Sequence, residues 1–312
     1  MIRLLAIIAA AAGLSFASNF VGLPDSEAGV TNYILWELRL PRWIAGALVG
    51  GILGASGAAY QTLFRNSLAS PGTVGTIAGA MLGVGLAAAG LLTWLSPIVL
   101  ALLGGLTVSL ILMTWVGLGR LTGSDLVLAG LALSLGASAL GIGLQTLLDA
   151  RGALMMTRWS LGHLEQIGYD GVGIFAVTLL ILLAGLMFDA KRWEILALGD
   201  GWAKSQGVAP KPVQLRTLLL TGSAVSMTVA LCGPITFIGL LAPHLCRLFR
   251  GGQLHNLVPL SALVGAAGLA ACDSLGRILG TGSVSIPVGA LTGALGAPLL
   301  VVLLISRRRT QL

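Results

Sequence analysis

The amino-acid sequence predicts an all-α, polytopic integral membrane protein with about ten transmembrane helices and cytoplasmic N- and C-termini. Three observations support this fold class. Of the 312 residues, 56% are hydrophobic and only 9% are charged, and the mean hydropathy is +0.96, whereas a soluble domain carries roughly 25% charged residues. Apolar runs of membrane-spanning length recur along the chain, and basic residues concentrate in alternate connecting segments. The surface must therefore face a lipid bilayer, which excludes a soluble or disordered protein.

A length of about 20 apolar residues per span divides the chain into successive helices. Pro41, Pro97 and Pro287 each precede a span, and Gly233-Pro234 separates the seventh span from the eighth. The third span is rich in glycine, and the eighth is short. The first also has features of a signal peptide, but its long apolar run favours a retained helix. The predicted spans are 2–21, 43–63, 72–92, 98–118, 126–147, 172–188, 215–231, 235–249, 257–275 and 288–305.

The charged residues indicate which end of each span faces the cytoplasm. With ten spans and an inside N-terminus, most of the 18 basic residues fall in cytoplasmic segments, and most of the 11 acidic residues fall outside. This asymmetry follows the positive-inside rule. We therefore predict one transmembrane domain, 1–312, with both termini inside. The pI near 10.0 reflects this topology and not nucleic-acid binding, because the basic residues form no single cluster.

Small residues recur at every fourth position in three of the predicted spans. The three stripes are Gly46, Gly50, Gly54 and Ala58; Gly75, Gly79 and Gly83; and Gly289, Gly293 and Ala297. Such spacing lets helix backbones approach closely. We expect the stripes chiefly to pack helices within the chain, and a seam between two subunits is the alternative.

The sequence contains no arrangement typical of an enzyme, a cofactor site or a metal site. Cys232, Cys246 and Cys272 lie in apolar runs without metal-ligand spacing, and the three histidines are far apart. No GxxxxGK[ST] phosphate-binding loop is present, so active transport would take its energy from another chain. Asp273 and Arg277 alone approach a span interior, and their spacing of four residues allows an ion pair on one helix face.

The segment 189–214 is a long polar interruption that the topology places in the cytoplasm. The run from Trp193 to Leu198 suits a short amphipathic helix that Gly199 ends. Asp200 is expected to N-cap a second short helix, which Gly207 stops. Two small helices at this place would form a docking surface. A solvated loop with interfacial tryptophans is the alternative.

Ordered motifs run along nearly the whole chain. They include LRLPR at 38–42, FRNSLASPG at 64–72, LALGD at 196–200 and, as the densest stretch, GPITFIGLLAPH at 233–244. In these motifs the chain resembles the FecCD-type (type II) ABC importer permeases, the family of the vitamin B12, haem and ferric siderophore permeases. One departure is Ser67, where family members usually have proline, and this difference leaves the stiffness of that loop open.

The resemblance implies a homodimer of ten-helix subunits around a central pathway. Two ATP-binding cassette ATPase subunits would dock on one side, and a periplasmic or lipid-anchored substrate-binding protein on the other. By position, binding-protein docking falls to Arg39, Arg42 and Arg277, for which snorkelling at the membrane surface is the alternative. ATPase coupling falls to Trp193, Leu198, Gly199, Asp200 and Gly207. The cytoplasmic gate falls to Asn66, Leu68 and Thr122.

We therefore expect the permease subunit of a binding-protein-dependent ABC importer for an iron chelate, either a siderophore or haem, in a bacterial cytoplasmic (inner) membrane. Cobalamin is the alternative within the family, and an oxyanion such as molybdate is a further one. The competing class is a stand-alone secondary carrier, which would place ionisable groups near the membrane midplane. A membrane-embedded enzyme is opposed by the missing catalytic residues.

Overall fold

The computed structural model describes residues 2–21, 28–119, 124–165, 167–250, 254–280 and 285–309, and these residues form helices and connecting turns without any β-strand. The predicted all-α class is confirmed. The α-helices are α1 Ile2–Ala17, α2 Ala28–Tyr33, α3 Leu40–Leu63, α4 Thr76–Ala88, α5 Pro97–Gly117, α6 Ser124–Gln145, α7 Ala150–Ser160, α8 Tyr169–Phe188, α9 Ala190–Ala197, α10 Asp200–Ser205, α11 Pro210–Cys232, α12 Ile238–Arg250, α13 Leu254–Leu279 and α14 Val288–Arg309. A π-helical stretch, Ile34–Arg39, joins α2 to α3.

The apolar helices follow the predicted spans. Within the described ranges, six helices are long and apolar enough to cross a membrane, and four shorter apolar helices fall on the remaining predicted spans. The two spans singled out as glycine-rich or short become α4 and α12, each of 13 residues. The number of membrane crossings and the side on which each terminus lies stay predictions.

Proline and glycine set several helix limits, as the sequence indicates. Pro97 occupies the first turn of α5, where Ser96 is the N-cap and its hydroxyl accepts a hydrogen bond from Val99 N at 3.3 Å. Helix α11 ends at Cys232 because Gly233 has φ +72°, a conformation that favours glycine. Pro234 follows, and the chain restarts as a helix only at α12.

Helix α3 lies at the centre of the bundle. Every residue from Val49 to Gln61 is buried, and α13, α12, α11 and α8 all pack against it. Its 24 residues span roughly 36 Å. Helical backbone extends upstream of the predicted limit at 43, through Pro41 and the π-helical stretch Ile34–Arg39.

Glycine permits this central packing. A Cβ at Gly50 would overlap the backbone of Gly265 on α13, and one at Gly54 would overlap the carbonyl of Ser261 on the same helix. The α4 stripe packs likewise, since a Cβ at Gly83 would overlap the carbonyl of Leu100 on α5. These two stripes therefore serve packing within the chain, as expected. In the third stripe, Gly289 lies against the carbonyl oxygens of Leu161 and Pro234, whereas Gly293 is less confined.

Helix α7 is an element that the span search did not provide. It is an 11-residue helix that mixes polar and apolar residues, and it is too short and too polar for a spanning run. Asp149 caps it, and the Asp149 carboxylate accepts a hydrogen bond from Gly152 N at 2.7 Å. A search for apolar segments of spanning length does not detect an amphipathic helix of this kind.

The central packing predicts the effect of adding one methyl group. Gly54→Ala should lower the free energy of unfolding by about 1–3 kcal/mol, because the new Cβ would overlap the Ser261 carbonyl. Gly173→Ala on α8 is the matched control. No heavy atom lies within 4 Å of a Cβ there, and alanine favours a helix by about 1 kcal/mol over glycine. Thermal unfolding in detergent measures both variants, and a melting temperature that rises equally in the two would contradict this packing.

Candidate functional site

The polar segment predicted at 189–214 folds as two short helices, α9 and α10, with a sharp turn between them. Gly199 forms the turn at φ +129°, and Gly207 ends the second helix at φ +75°. Trp193 is buried and anchors α9 against the bundle, as Ala203 anchors α10. The predicted pair of helices is present, but α9 begins at Ala190, three residues before the predicted start at Trp193. Both glycines occupy backbone conformations that other residues rarely adopt.

Two large apolar side chains are exposed on this pair, among polar neighbours such as Lys204 and Gln206. Leu198 is 72% exposed and Trp202 is 54% exposed. Isolated exposed apolar residues are ordinary, but these two side chains lie on firmly anchored helices on either side of the turn. Trp193, one of the predicted coupling residues, is buried between α9 and the bundle and so lies beneath these exposed side chains. No role for Trp202 is predicted from the sequence, and its spacing of four residues from Leu198 gives no signal, because Gly199 at φ +129° breaks the helix between them.

The predicted capping role of Asp200 is wrong. Gly199 is the N-cap of α10, and it makes no side-chain capping bond. Asp200 is the first helical residue, and its carboxylate accepts a hydrogen bond from the Arg65 guanidinium. The Asp200 carboxylate therefore pairs with Arg65, 135 positions away in sequence, and does not cap the helix terminus as predicted.

The loop that follows α3, residues 64–70, holds two of the three predicted gate residues. Phe64 is buried and stacks on Tyr60 with ring centroids 5.5 Å apart. The Asn66 side-chain oxygen accepts a hydrogen bond from Leu68 N at 2.9 Å, which shapes a tight turn. This turn leaves Leu68 46% exposed. The third residue, Thr122, lies outside the described residues.

Arg42 and Arg277 share one buried carboxylate at the opposite end of α3. Asp273 is 1% exposed and accepts hydrogen bonds from Arg42 Nε at 3.0 Å and Arg42 Nη2 at 2.8 Å. Arg277 Nε lies 3.7 Å from the same carboxylate. The predicted pairing of Asp273 with Arg277 is confirmed, and Arg42 joins it from α3. The exposed Glu165 lies 3.8 Å from Arg42.

The same arginine group fastens the end of α1. Arg39 Nη1 donates to the carbonyl oxygens of Asn19 at 2.7 Å and Val21 at 2.8 Å. Arg277 Nη2 donates to the Ser18 hydroxyl at 3.1 Å. All three arginines that the sequence assigned to docking thus lie together and make internal contacts. Their role towards a partner stays a prediction.

A further ion cluster fixes the base of α9. Asp189 is buried at the junction of α8 and α9, 2.7 Å from Arg192 Nη1 and 3.1 Å from Arg216 Nε. Both guanidinium groups also lie about 5.5 Å from the ring centre of Phe188, within the range of a cation–π contact. Because α8, α9 and α11 meet at this carboxylate, the α9–α10 pair is held firmly to the bundle.

The described residues include no group of three or more His, Cys, Asp or Glu side chains that could hold a metal ion. The three cysteines are free thiols, two of them buried and one half-buried. They occupy the apolar packing positions that their sequence context indicates.

Comparison with known proteins identifies the family. Residues 1–306 match the FecCD transport family. The chain belongs to this family. The vitamin B12 import system permease protein BtuC of Vibrio cholerae serotype O1 is 35% identical over 280 residues, which cover 87% of this chain and 82% of that protein. The hemin transport system permease protein HmuU of Yersinia pestis is 35% identical over 292 residues, with coverages of 90% and 87%.

A solved structure shares the fold of this FecCD family member along its whole length. It is described as an inward-facing conformation of a proposed metal-chelate type ABC transporter. The TM-score is 0.87 at 27% sequence identity, and the match covers 98% of this chain and 100% of that one. As a FecCD family member, the protein is a membrane-embedded permease of an ABC import system. It is a transport component and not an enzyme, and ATP hydrolysis belongs to a separate subunit.

The buried Asp273 carboxylate yields a stability prediction. Asp273→Asn should lower the free energy of unfolding by about 3–5 kcal/mol, because it leaves two arginines without their counter-charge in a buried site. Glu165→Gln is the control. Glu165 is half exposed and 3.8 Å from Arg42, so its loss should cost less than about 1 kcal/mol. Thermal unfolding in detergent compares the two, and equal melting temperatures would contradict a structural role for the Asp273 cluster.

Proposed function

We propose that this FecCD family member forms, as a homodimer, the translocation pathway of a binding-protein-dependent importer in the cytoplasmic membrane of a bacterium. Ten spans with both termini inside place α9, α10 and the 64–70 loop on the cytoplasmic face. The Arg42–Asp273–Arg277 cluster then lies on the outer face, because Arg42 and Leu63 are at opposite ends of α3. The distribution of basic residues supports this orientation.

The exposed apolar pair Leu198 and Trp202 carries the proposal that α9 and α10 bind the ATPase subunit. Leu198 and Trp202 project from two short helices. Buried Trp193 and Ala203, together with the Asp189 ion cluster, attach these helices to the bundle. A firmly supported surface with an exposed tryptophan suits a protein interface, where tryptophan often contributes much of the binding energy. Gly199 and Gly207 set the turn and the end of the pair. The chain lacks a P-loop of its own, so the energy must arrive through such a contact.

Arg39, Arg42 and Arg277 are the proposed contacts for the acidic surface of a substrate-binding protein. Three guanidinium groups face two carboxylates, the buried Asp273 and the exposed Glu165, which leaves one excess positive charge among these side chains. Such an excess favours association with a negative surface. Because Arg42 is only 13% exposed and paired with Asp273, its reversal would disturb the fold as well as docking. Docking tests therefore need milder substitutions at this position.

The 64–70 loop is the proposed cytoplasmic gate, with Asn66 and Leu68 on this side and Thr122 completing it. The Asn66 turn projects Leu68 from the end of the buried α3. A projecting apolar side chain can close a narrow pathway and move aside by a small rotation of its loop. Serine at position 67 gives the loop more backbone freedom than proline would.

We propose an iron chelate, either haem or a siderophore, as the substrate, and cobalamin as the second candidate. The relatives named above are a hemin permease and a vitamin B12 permease at the same identity. Both of those substrates are metals held in a large organic chelate, and the structural relative is also described as metal-chelate type. This shared chemistry favours a chelate over a simple oxyanion.

Reconstitution tests the proposed function. The chain, its ATPase subunit and its binding protein are placed in proteoliposomes, and ATP-dependent uptake of haem, a ferric siderophore, cobalamin and molybdate is measured. We expect one chelate to accumulate only with ATP. An ATPase subunit with its P-loop lysine replaced is the control and should give no uptake. Uptake at full rate by the chain alone would contradict the proposal and favour a stand-alone carrier.

The ATPase contact has its own test. Trp202→Ala should weaken binding of the ATPase subunit by roughly 30-fold, the equivalent of about 2 kcal/mol. Trp94→Ala is the matched control, because Trp94 is also highly exposed but lies between α4 and α5. Binding of purified ATPase subunit to the chain in nanodiscs measures the difference. Equal affinities for the two variants would contradict a docking role for Trp202.

A further inference from the structure

Arg65 occupies an unusual position at the end of α3. It is the first residue after Phe64, the helix C-cap, and it adopts a left-handed backbone conformation at φ +48°. This conformation is uncommon for residues other than glycine and asparagine. It directs the guanidinium away from α3 and towards the α9–α10 turn.

The Arg65 side chain contacts both sides of that turn. Its Nη2 atom donates to the Leu196 carbonyl oxygen, near the end of α9, at 2.9 Å. The same nitrogen donates to the carboxylate of Asp200, at the start of α10. Gly199 lies between these two acceptors. A single planar, always-charged group therefore bridges two helices across their glycine turn.

The chain on the other side of Arg65 is the gate loop. Asn66 and Leu68, which shape and project this loop, follow within three residues. One turn before Arg65, Gln61 donates to the Leu240 carbonyl at 3.2 Å and accepts a hydrogen bond from Arg247, which ties α3 to α12. The last turn of α3 is thus fixed to α12. The loop that follows is connected to α9 and α10 through the hydrogen bonds of Arg65.

We infer that Arg65 is a positioning residue that transmits movement of the α9–α10 turn to the gate loop, with Asp200 as its partner. This inference rests on the proposed function, in which an ATPase subunit moves that turn. The ion pair is partly exposed, with side chains 38% and 31% accessible. Such pairs contribute little to stability. Loss of the pair should therefore leave the fold intact and affect the link between ATP hydrolysis and transport.

The experiment uses the complete complex in proteoliposomes and measures ATP hydrolysis and substrate uptake in the same sample. Arg65→Asn is the main variant, because asparagine tolerates the left-handed backbone and removes only the bridge. Asp200→Asn is a second variant that leaves the loop untouched. Each should lower the uptake per ATP hydrolysed at least fivefold, and in Arg65→Asn the hydrolysis rate should stay within twofold of that of the unaltered complex. Arg151→Asn, an exposed arginine on α7, is the control and should change neither quantity.

A charge exchange separates the link from a merely structural effect. Arg65→Asp combined with Asp200→Arg should recover uptake per ATP relative to either single change, because the opposite charges still meet. An unchanged ratio in Arg65→Asn and Asp200→Asn would overturn the inference. A parallel fall in hydrolysis and uptake, with the ratio preserved, would also overturn it and would assign Arg65 to ATPase binding. Absence of ATP-dependent uptake in the unaltered complex would refute the proposed function itself.

Discussion

The close approach of α3 to α13 is the constraint on which the rest of the structure depends. Backbone meets backbone at Gly50 and Gly54, where any side chain would overlap Gly265 or Ser261. In a lipid environment water exclusion does not drive one apolar helix against another, so association relies on packing contacts that small residues make possible. Because α3 is buried along its central turns, it forms a rigid connection between the Arg42–Asp273–Arg277 cluster and the Arg65–Asp200 pair.

The two clusters of charged residues lie at opposite ends of α3 and make different contacts. At one end of α3, Asp273 gathers Arg42 and Arg277 and fixes the end of α1 through Arg277. At the other end, roughly 30 Å away along the helix, Arg65 donates hydrogen bonds to Leu196 and Asp200 on the two sides of the α9–α10 turn. The first cluster is buried and structural, whereas the second is partly exposed and contributes little to the stability of the fold. Partner binding at either face would thus act on the two ends of one stiff element.

The sequence predicts local features well and distant contacts poorly. Helix limits at Gly199, Gly207 and Gly233 follow from backbone conformations that glycine favours, and the apolar runs become helices. Helix α7 escapes a search based on apolar length because it is amphipathic. The cap assigned to Asp200 fails because Arg65, far away in sequence, competes for the carboxylate. The pairing of Arg42 with Asp273 spans 231 positions, and local sequence contains no signal for it.

On the inference drawn for Arg65, the α9–α10 turn and the proposed gate loop, residues 64–70, move as one unit at the end of α3. Pulsed electron paramagnetic resonance measures this movement. Spin labels are attached to cysteines introduced in place of Ser67 and Ser205, in a chain whose three native cysteines are replaced, within the complete complex. With one subunit doubly labelled, the Ser67 to Ser205 distance should stay unchanged when ATP binds. In complexes labelled only at Ser67, the distance between subunits should change. A Ser67 to Ser205 distance that shifts with ATP while the inter-subunit distance stays fixed would contradict the claim.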